Sequence, residues 1–440
     1  MRRPGIVIVG AGVMGASAAY HLAQRGRTDV LVIDSGGAPG EGSTSRATGG
    51  FRAQYGTAIN IRLSLLTRSK LLRFADEVGG DCGYVPAGYL WLASTEPVLN
   101  ALAAARRLQH SEGLTEATDV SATGVALINP AVDTDGIIGG SFCATDGFIR
   151  PLGILQGYLD AAQRMGVEIA WGEEAVDAER AGSGRITALV TTRRRIATEA
   201  VVNAAGAWAG VFGAACGLDV PVTPLRRQVA LTQSTRVLPE SMPMTIFTDD
   251  GFHLRVRDGR VLLLWPTPGL PGRPFDATVD GDWIEAVTAK AHARVPVLRS
   301  VPVDRDGSWA GLYEMSPDKH AILGVHPVCE NLFLINGSSG HGVMHAPALG
   351  HLLAEIILDG KATTIDTHGL RPERFAEVCL LNAATRAGPA SCEQQTGIDS
   401  GRAHGDASHL FLCEPGDEYF DESRLSERQN HRVVPTGARR

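Results

Sequence analysis

The feature that most constrains the fold is a glycine pattern close to the N-terminus. Residues 6–9 form a short β-branched run, and Gly10, Gly12 and Gly15 follow it directly with the spacing GxGxxG. A strand that turns tightly on glycines into a helix opens a dinucleotide-binding βαβ unit, whose helix N-terminus faces a pyrophosphate. Asp34 closes the next strand, 24 residues after Gly10, where a carboxylate can accept hydrogen bonds from an adenosine ribose. The sequence therefore predicts a parallel sheet that binds a dinucleotide.

An acid at position 34 favours an unphosphorylated ribose, which leaves FAD and NAD as candidate cofactors. Three further Gly- and Ser-rich clusters lie at residues 42–50, 203–206 and 336–342. Glycine accounts for 52 of the 440 residues, about 12%, against about 7% in average proteins. A long cofactor that passes several chain segments needs many close backbone approaches. The clusters favour FAD, and an NAD-dependent dehydrogenase is the alternative.

Composition excludes several other classes of protein. The chain is 44% hydrophobic and 20% charged, with a formal charge of −7, so it can bury a large core but lacks a basic surface for nucleic acid. Seven scattered cysteines without zinc-ligand spacing suit a reducing compartment, and we expect a cytoplasmic protein. His341 and His345 have helical zinc spacing without an adjacent acid, so we expect no metal. No uninterrupted apolar stretch is long enough for a membrane span.

Hydrophobic periodicity predicts the main elements. The predicted helices span residues 16–25, 59–78, 98–109, 151–165, 283–295 and 346–358. The predicted strands include residues 6–9, 30–33, 89–93, 168–170, 200–205 and 331–335, with antiparallel strands between residues 228 and 265. Residues 376–440 are rich in Ser, Gly and charged residues without periodicity, and they are predicted to form a poorly ordered tail.

Five segments in order carry a family resemblance. They read IVIVGAGVMGASAAYHLA, GSTSRATGGFRAQYG, VVNAAGAWA, YEMSPDKHAILG and LINGSSGHGVMHAPALG. These segments resemble the D-amino-acid-oxidase-type FAD-dependent oxidoreductases, in the branch of sarcosine oxidase, glycine oxidase and the proline dehydrogenase β subunits. The resemblance covers residues 5 to about 375.

The resemblance implies an α/β (α+β) fold, in which a Rossmann-like FAD-binding domain is interleaved with an antiparallel-sheet substrate domain. Residues 1–60, 150–222 and 318–375 would form the FAD-binding domain. Residues 61–149 and 223–317 would form the substrate domain.

Carried over residue by residue, the resemblance implies a set of cofactor contacts along the whole FAD molecule. The ADP half would be held by Gly10, Gly12, Val13, Met14, Gly15, Asp34 and Ser35, with Val176 at the adenine. The pyrophosphate and flavin would be held by Ser43, Thr44, Ser45, Gly49 and Gly50, and the ribityl chain by Ala205, Gly206 and Trp208. The pyrimidine end of the flavin would be held by Gly340, His341, Gly342, Val343 and Met344. Gly311 replaces a cysteine that tethers FAD in some relatives, so the resemblance implies non-covalent FAD.

The catalytic residues implied are Arg52, Tyr313 and His341. Arg52 would hold a substrate carboxylate in a two-point contact, Tyr313 would position the substrate, and His341 would shape the flavin loop. Met344 and Leu263 stand where single-chain sarcosine oxidases carry lysines, and the second of those lysines activates oxygen. The chain has only four lysines, which favours a dehydrogenase with an electron carrier over an oxidase that uses O₂.

The resemblance implies oxidation of a small amine or amino acid, sarcosine-, glycine- or proline-like, to an imine by hydride transfer to flavin N5. The electron acceptor would be O₂ or a carrier, and an oligomer or a hetero-complex is compatible with the sequence. A flavin-binding subunit that has lost its own catalysis is a second alternative.

Overall fold

The computed structural model describes residues 3–268 and 273–375, so the predicted tail at residues 376–440 lies outside the described residues. The strands are β1 (Ile6–Val9), β2 (Val30–Asp34), β3 (Gly50–Phe51), β4 (Tyr89–Ala93), β5 (Ala117–Ser121), β6 (Gly139–Cys143), β7 (Gly147–Phe148), β8 (Glu168–Trp171), β9 (Ala175–Arg180), β10 (Ile186–Thr191), β11 (Arg195–Ala197), β12 (Ala200–Asn203), β13 (Thr223–Thr232), β14 (Met244–Phe247), β15 (His253–Arg257), β16 (Arg260–Leu264), β17 (Val303–Met315), β18 (Ile322–His326) and β19 (Cys329–Asn336). The α-helices are α1 (Val13–Gln24), α2 (Ser43–Arg46), α3 (Ala58–Leu72), α4 (Phe74–Glu77), α5 (Glu96–Ser111), α6 (Ala122–Ile128), α7 (Pro151–Arg164), α8 (Ala209–Ala215), α9 (Gly281–Arg294) and α10 (Gly342–Asp359).

A mainly parallel sheet forms the first layer of the fold. Its strand order is β18-β19-β12-β1-β2-β8, and β1 pairs in parallel with both β2 and β12. All four residues of β1 are buried, because helices α1, α7 and α10 cover one face and α8 with the β9–β11 sheet covers the other. Strands that are buried on both faces need continuous apolar runs, as the sequence IVIV provides.

A second, largely antiparallel sheet has the order β17-β13-β16-β15-β14-β4-β6-β5. One of its faces packs on α9 and carries a separate apolar cluster. Its strands lie at residues 89–143 and 223–315, between the chain segments that supply the parallel sheet. The predicted fold class, a parallel-sheet unit interleaved with an antiparallel sheet, is therefore confirmed. The exact domain boundaries stay a prediction.

The predicted helix at residues 59–78 is two helices. Arg73, with φ −108° and ψ 8°, leaves the helical region and separates α3 from α4. Helix α3 packs against α10, and its Leu63 and Leu71 belong to the apolar core beneath α1. Helix α3 crosses the predicted boundary at residue 60, and it packs with the helices of the parallel-sheet layer.

Helix α10 begins at Gly342, four residues before the predicted start. The prediction placed the residues from Gly342 to His345 in the preceding Gly-rich loop, whereas they form the first turn of the helix. In the structure Pro347 lies inside the helix, where its missing N–H removes one internal hydrogen bond. Over residues 3–268 and 273–375, no helix has both the length and the apolar character that crossing a bilayer requires.

Candidate active site

A cavity of about 740 Å³ lies where the carboxyl ends of the parallel strands meet the inner face of the antiparallel sheet. Most of the predicted site residues line it. They are Gly10, Gly12, Val13, Met14, Asp34, Ser35, Ser43, Thr44, Gly49, Gly50, Arg52, Val176, Ala205, Gly206, Trp208, Tyr313, Gly340, His341, Gly342, Val343 and Met344.

Two of the predicted cofactor residues do not line this cavity. Gly15 lies beneath the first turn, and a Cβ there would come within 1.8 Å of the Gly10 carbonyl oxygen. Glycine is required at position 15 so that α1 can pack on β1, and this is the role that the spacing predicts. Ser45 is exposed, and its hydroxyl donates to the Gly42 carbonyl at 3.3 Å.

The β1–α1 turn and Asp34 form one end of the cavity. Gly10 has φ +107°, and a Cβ there would lie 2.3 Å from the Ala204 carbonyl oxygen, so only glycine fits. The Asp34 carboxylate accepts hydrogen bonds from the backbone N–H of Ala11 at 2.6 Å and of Gly36 at 2.8 Å. Gly12 provides no side-chain cap for helix α1, and the Val13 N–H in its first turn donates to the Thr44 hydroxyl at 3.2 Å. The positive end of this helix favours an anion beside it.

The loop that carries Gly49 and Gly50 is fixed by packing within the protein. A Cβ at Gly49 would lie 2.4 Å from the Ile149 carbonyl oxygen, and one at Gly50 would lie 1.9 Å from the Tyr89 hydroxyl. From the sequence, these glycines were expected to allow the close approach of a cofactor. The structure shows that contacts between chain segments also require them.

Arg52 lies at the opposite end, in a buried cluster of rings. Its side chain is 5% exposed, and its guanidinium carbon lies 4.3 Å from the centre of the Tyr55 ring and 4.9 Å from that of Trp91. Arg52 Nη2 donates to His341 Nε2 at 3.2 Å. Burial, and then the charge of Arg52, lower the pKa of His341 well below its usual value. His341 is therefore a neutral acceptor that orients Arg52 and cannot act as a cation at neutral pH.

The start of α10 borders this cluster. Tyr55 donates its hydroxyl hydrogen to Met344 Sδ at 3.0 Å, so the residue that replaces a lysine of the sarcosine oxidases packs against the Arg52 cluster. Tyr313 lies against the loop before α10. The contact is so close that a Cβ at Gly340 would lie 2.5 Å from the Tyr313 ring. The structure thus brings Arg52, His341 and Tyr313 to one part of the cavity, although the sequence separates them by up to 289 residues.

Asp146, which the sequence analysis missed, lies behind Arg52. Its carboxylate accepts hydrogen bonds from the Ala53 backbone N–H at 2.7 Å and from Gln54 Nε2 at 3.1 Å. Burial raises the pKa of Asp146 to about 6, in spite of these hydrogen bonds. The short pairing of β3 with β7 brings Asp146 next to the segment that carries Arg52. No local sequence signal could have shown this contact.

Across the cavity, the antiparallel sheet presents a mainly apolar wall. Val229, Leu264, His253 and Ile246 are neighbours in register on β13, β16, β15 and β14, and all four line the cavity. The resemblance places Leu263 at the position of an oxygen-activating lysine, but Leu263 does not line the cavity. It is packed in the apolar cluster that includes the α9 residues, whereas Leu264 lines the cavity, because successive strand residues point to opposite faces. None of the four lysines lines the cavity.

In the part of the chain that the structure describes, no group of three or more His, Cys, Asp or Glu side chains is arranged to hold a metal ion. His341 and His345 lie with their rings 5.8 Å apart, and His345 Nε2 is 2.9 Å from the Ser64 hydroxyl.

The family model described as "FAD dependent oxidoreductase" matches residues 5–356. The chain belongs to this family. It is 29% identical over 369 residues to the glycine oxidase of Geobacillus kaustophilus, and the match covers 82% of this chain and 94% of that protein. It is also 29% identical over 417 residues to FAD-dependent oxidoreductase domain-containing protein 1 of Xenopus laevis, over 85% of this chain and 83% of that protein.

Among solved structures, the fold is similar to that of L-proline dehydrogenase from P. horikoshii. The TM-score is 0.79 at 26% identity, over 86% of this chain and 99% of that chain. Membership of the family decides between the two candidate cofactors in favour of FAD. The residues present fit this cofactor, because the Gly10 turn leaves no room for a side chain and a carboxylate and a helix N-terminus lie beside it.

Proposed function

We propose that the protein oxidises a small amino acid, glycine-, sarcosine- or proline-like, to the corresponding imine. When bound, FAD would supply the acceptor for the hydride that leaves the substrate C–H bond, while the nitrogen loses a proton and the C–N bond becomes C=N. The observation that carries this proposal is Arg52, a buried cation that lines the cavity beside Tyr313 and the start of α10. The glycine oxidase and the L-proline dehydrogenase to which the chain is similar support the same class of substrate.

The roles of the side chains follow from their contacts. Arg52 would bind the substrate carboxylate with two N–H groups, and the bond to neutral His341 fixes the guanidinium orientation. The rings of Tyr55 and Trp91 cover the guanidinium and exclude water, which strengthens its attraction for an anion. Tyr313 would contact the substrate from the α10 side of the cavity. The apolar sheet wall opposite favours the neutral amine over the ammonium form.

We propose that FAD is held without a covalent bond by the cavity residues named above. Gly311, which the resemblance places at the position of a tethering cysteine, lines the cavity. The four cysteines of the described residues are buried elsewhere and do not line it. Acid or heat should therefore release all of the flavin, and flavin that stays with the denatured chain would contradict this.

The test of the function is anaerobic reduction of the bound flavin by matched pairs of compounds. Each pair has the same amine with and without a carboxylate: glycine and methylamine, sarcosine and dimethylamine, proline and pyrrolidine. We expect at least one carboxylated member to bleach the flavin, about 100-fold or more faster than its partner. If dithionite bleaches the flavin but no amine does, the proposal is wrong and a catalytically silent subunit is supported.

The electron acceptor is addressed by reoxidation of the reduced protein. Because no lysine lines the cavity, we propose an electron carrier rather than O₂ as the acceptor. Slow reoxidation in air and fast reoxidation by an artificial quinone or dye would support this proposal. Rapid reoxidation by O₂ would identify an oxidase.

A further inference from the structure

The wall of the cavity contains a carboxyl group that the proposed reaction does not use. Glu314, next to Tyr313 on β17, lines the cavity between two glycine-containing segments. A Cβ at Gly206 would lie 3.9 Å from Glu314 Oε2, and a Cβ at Gly342 would lie 3.7 Å from Glu314 Oε1. These two glycines are among the residues that would hold the cofactor, so the carboxyl group lies within the same part of the cavity.

The carboxyl group of Glu314 is only partly satisfied by the protein. Its Oε1 accepts a hydrogen bond from the Ser338 backbone N–H at 3.2 Å. Its Oε2 is buried and has no hydrogen-bond partner among the described residues. A buried polar atom without a partner costs about 1–3 kcal/mol, and such atoms often mark a place where a ligand completes the hydrogen bonds.

Among the residues that the structure describes, no cation is shown to pair with Glu314. Arg46 of α2 donates to the Ala310 carbonyl, and Arg226 and Arg227 of β13 donate to the carbonyls of Thr278 and Thr267. His341, before α10, is neutral, because burial lowers its pKa. Burial raises the pKa of Glu314 to about 7, although hydrogen bonds from Ser338 and the Gly337 backbone oppose this, and no charged side chain contributes. Near neutral pH a large fraction of the protein therefore carries a protonated Glu314, which can donate a hydrogen bond.

We propose that Glu314 binds the cofactor as a neutral acid, donating its hydroxyl hydrogen to an oxygen of the FAD ribityl chain or flavin ring, so that FAD affinity falls when Glu314 ionises. Glu χ3 is a soft torsion, so either carboxyl oxygen can carry the proton to the cofactor. The proposal rests on FAD occupying this cavity, which is part of the proposed function, but it does not depend on the identity of the substrate.

The test is titration of the apoprotein with FAD at several pH values from 6 to 9. Quenching of flavin fluorescence measures how much FAD is bound. For the native chain we expect the Kd to rise above pH 7 by up to about tenfold per pH unit, since binding then requires uptake of a proton. Glu314→Gln keeps a donor that does not titrate, so its Kd should stay within about threefold over the same range. Glu179→Gln, which changes an exposed glutamate paired with Arg195, should keep the native pH profile.

Three outcomes would overturn the proposal. They are a native Kd that does not change with pH, a pH dependence that persists in Glu314→Gln, and a Glu314→Ala variant that folds and binds FAD as tightly as the native chain at pH 6. Thermal unfolding of each apoprotein shows whether the variants fold. A protein that binds FAD with the expected pH profile, but whose flavin no amine reduces, would refute the proposed function and leave the role of Glu314 intact.

Discussion

Replacing Arg52 with alanine removes a cation from a site that the protein has built around it. The native side chain is 5% exposed, is covered by the rings of Tyr55 and Trp91, and donates to neutral His341. If a substrate carboxylate binds here, Arg52→Ala leaves that carboxylate in a site of low dielectric constant without its partner. If no carboxylate binds here, the variant loses only packing and the hydrogen bond to His341.

The expected magnitude follows from this difference. Removing one partner of a buried, hydrogen-bonded charge pair costs about 2–5 kcal/mol, and about 1.4 kcal/mol corresponds to a factor of ten. The value of kcat/KM for an amino acid should therefore fall by about 30-fold to several thousand-fold. For the amine that lacks the carboxylate it should change by less than about threefold, because that amine makes no contact with the guanidinium.

The assay compares the rate of anaerobic flavin reduction by each member of a pair, in the native chain and in the variant. Arg255→Ala is a matched control, because Arg255 is also 5% exposed but bonds to the carbonyls of Thr48 and Gly49 and does not line the cavity. It should weaken FAD retention and leave the preference for carboxylated substrates unchanged. An equal loss for both members of a pair in Arg52→Ala would refute the assignment of Arg52 as the carboxylate anchor.

Three further changes test other parts of the structure. Gly10→Ala places a methyl group 2.3 Å from the Ala204 carbonyl oxygen, at a backbone φ of +107°. We expect the free energy of unfolding to fall by more than about 2 kcal/mol and FAD binding to weaken, and thermal unfolding with and without FAD measures both. Asp34→Ala removes a ribose acceptor and the partner of the Ala11 N–H, and FAD affinity measured by fluorescence should fall about 10- to 100-fold; unchanged affinity would contradict the ribose contact. Burial alone would raise the pKa of Glu355, but hydrogen bonds from Thr364 and Thr363 lower it to about 2. The ionised carboxylate therefore stabilises the fold fully above the pKa of the unfolded state, near 4.5, and this stabilisation is lost as the pH falls towards 2. Glu355→Gln should lower the Tm at pH 7 and lower it much less at pH 3, and an equal decrease at both pH values would exclude the ionised state as the cause.

The local parts of the site could be predicted from sequence, because short spacing determines their geometry. Gly10 and Asp34 are separated by one βαβ unit, and the unit folds in only one way. Arg52 could be selected through the family resemblance. Asp146 and Glu314 could not, because a partner for the Arg52 segment and an unsatisfied oxygen exist only after distant strands have paired.

Two expectations depended on contacts that the sequence does not show. Leu263 was placed at the position of a lysine of the sarcosine oxidases, but its neighbour Leu264 lines the cavity, since successive residues of a strand point to opposite faces of the sheet. Gly49 and Gly50 were attributed to a cofactor, although contacts with Ile149 and Tyr89 also exclude a side chain there. Sequence gives the residue type that a close approach needs, but it does not show which atom approaches.

The position of β1 in the parallel sheet has a consequence for how the protein is made. This first strand pairs with β12, which begins at Ala200, and β12 in turn pairs with β19 near residues 332–334. A ribosome that has completed β1, α1 and β2 has therefore made two interior strands of the six-stranded sheet, and their neighbours β12 and β19 are synthesised much later. Such distant pairing slows folding and leaves apolar strand edges exposed in the meantime. The cavity therefore cannot form before β19 has been synthesised. FAD that is present during synthesis should increase the yield of folded protein only from that point on.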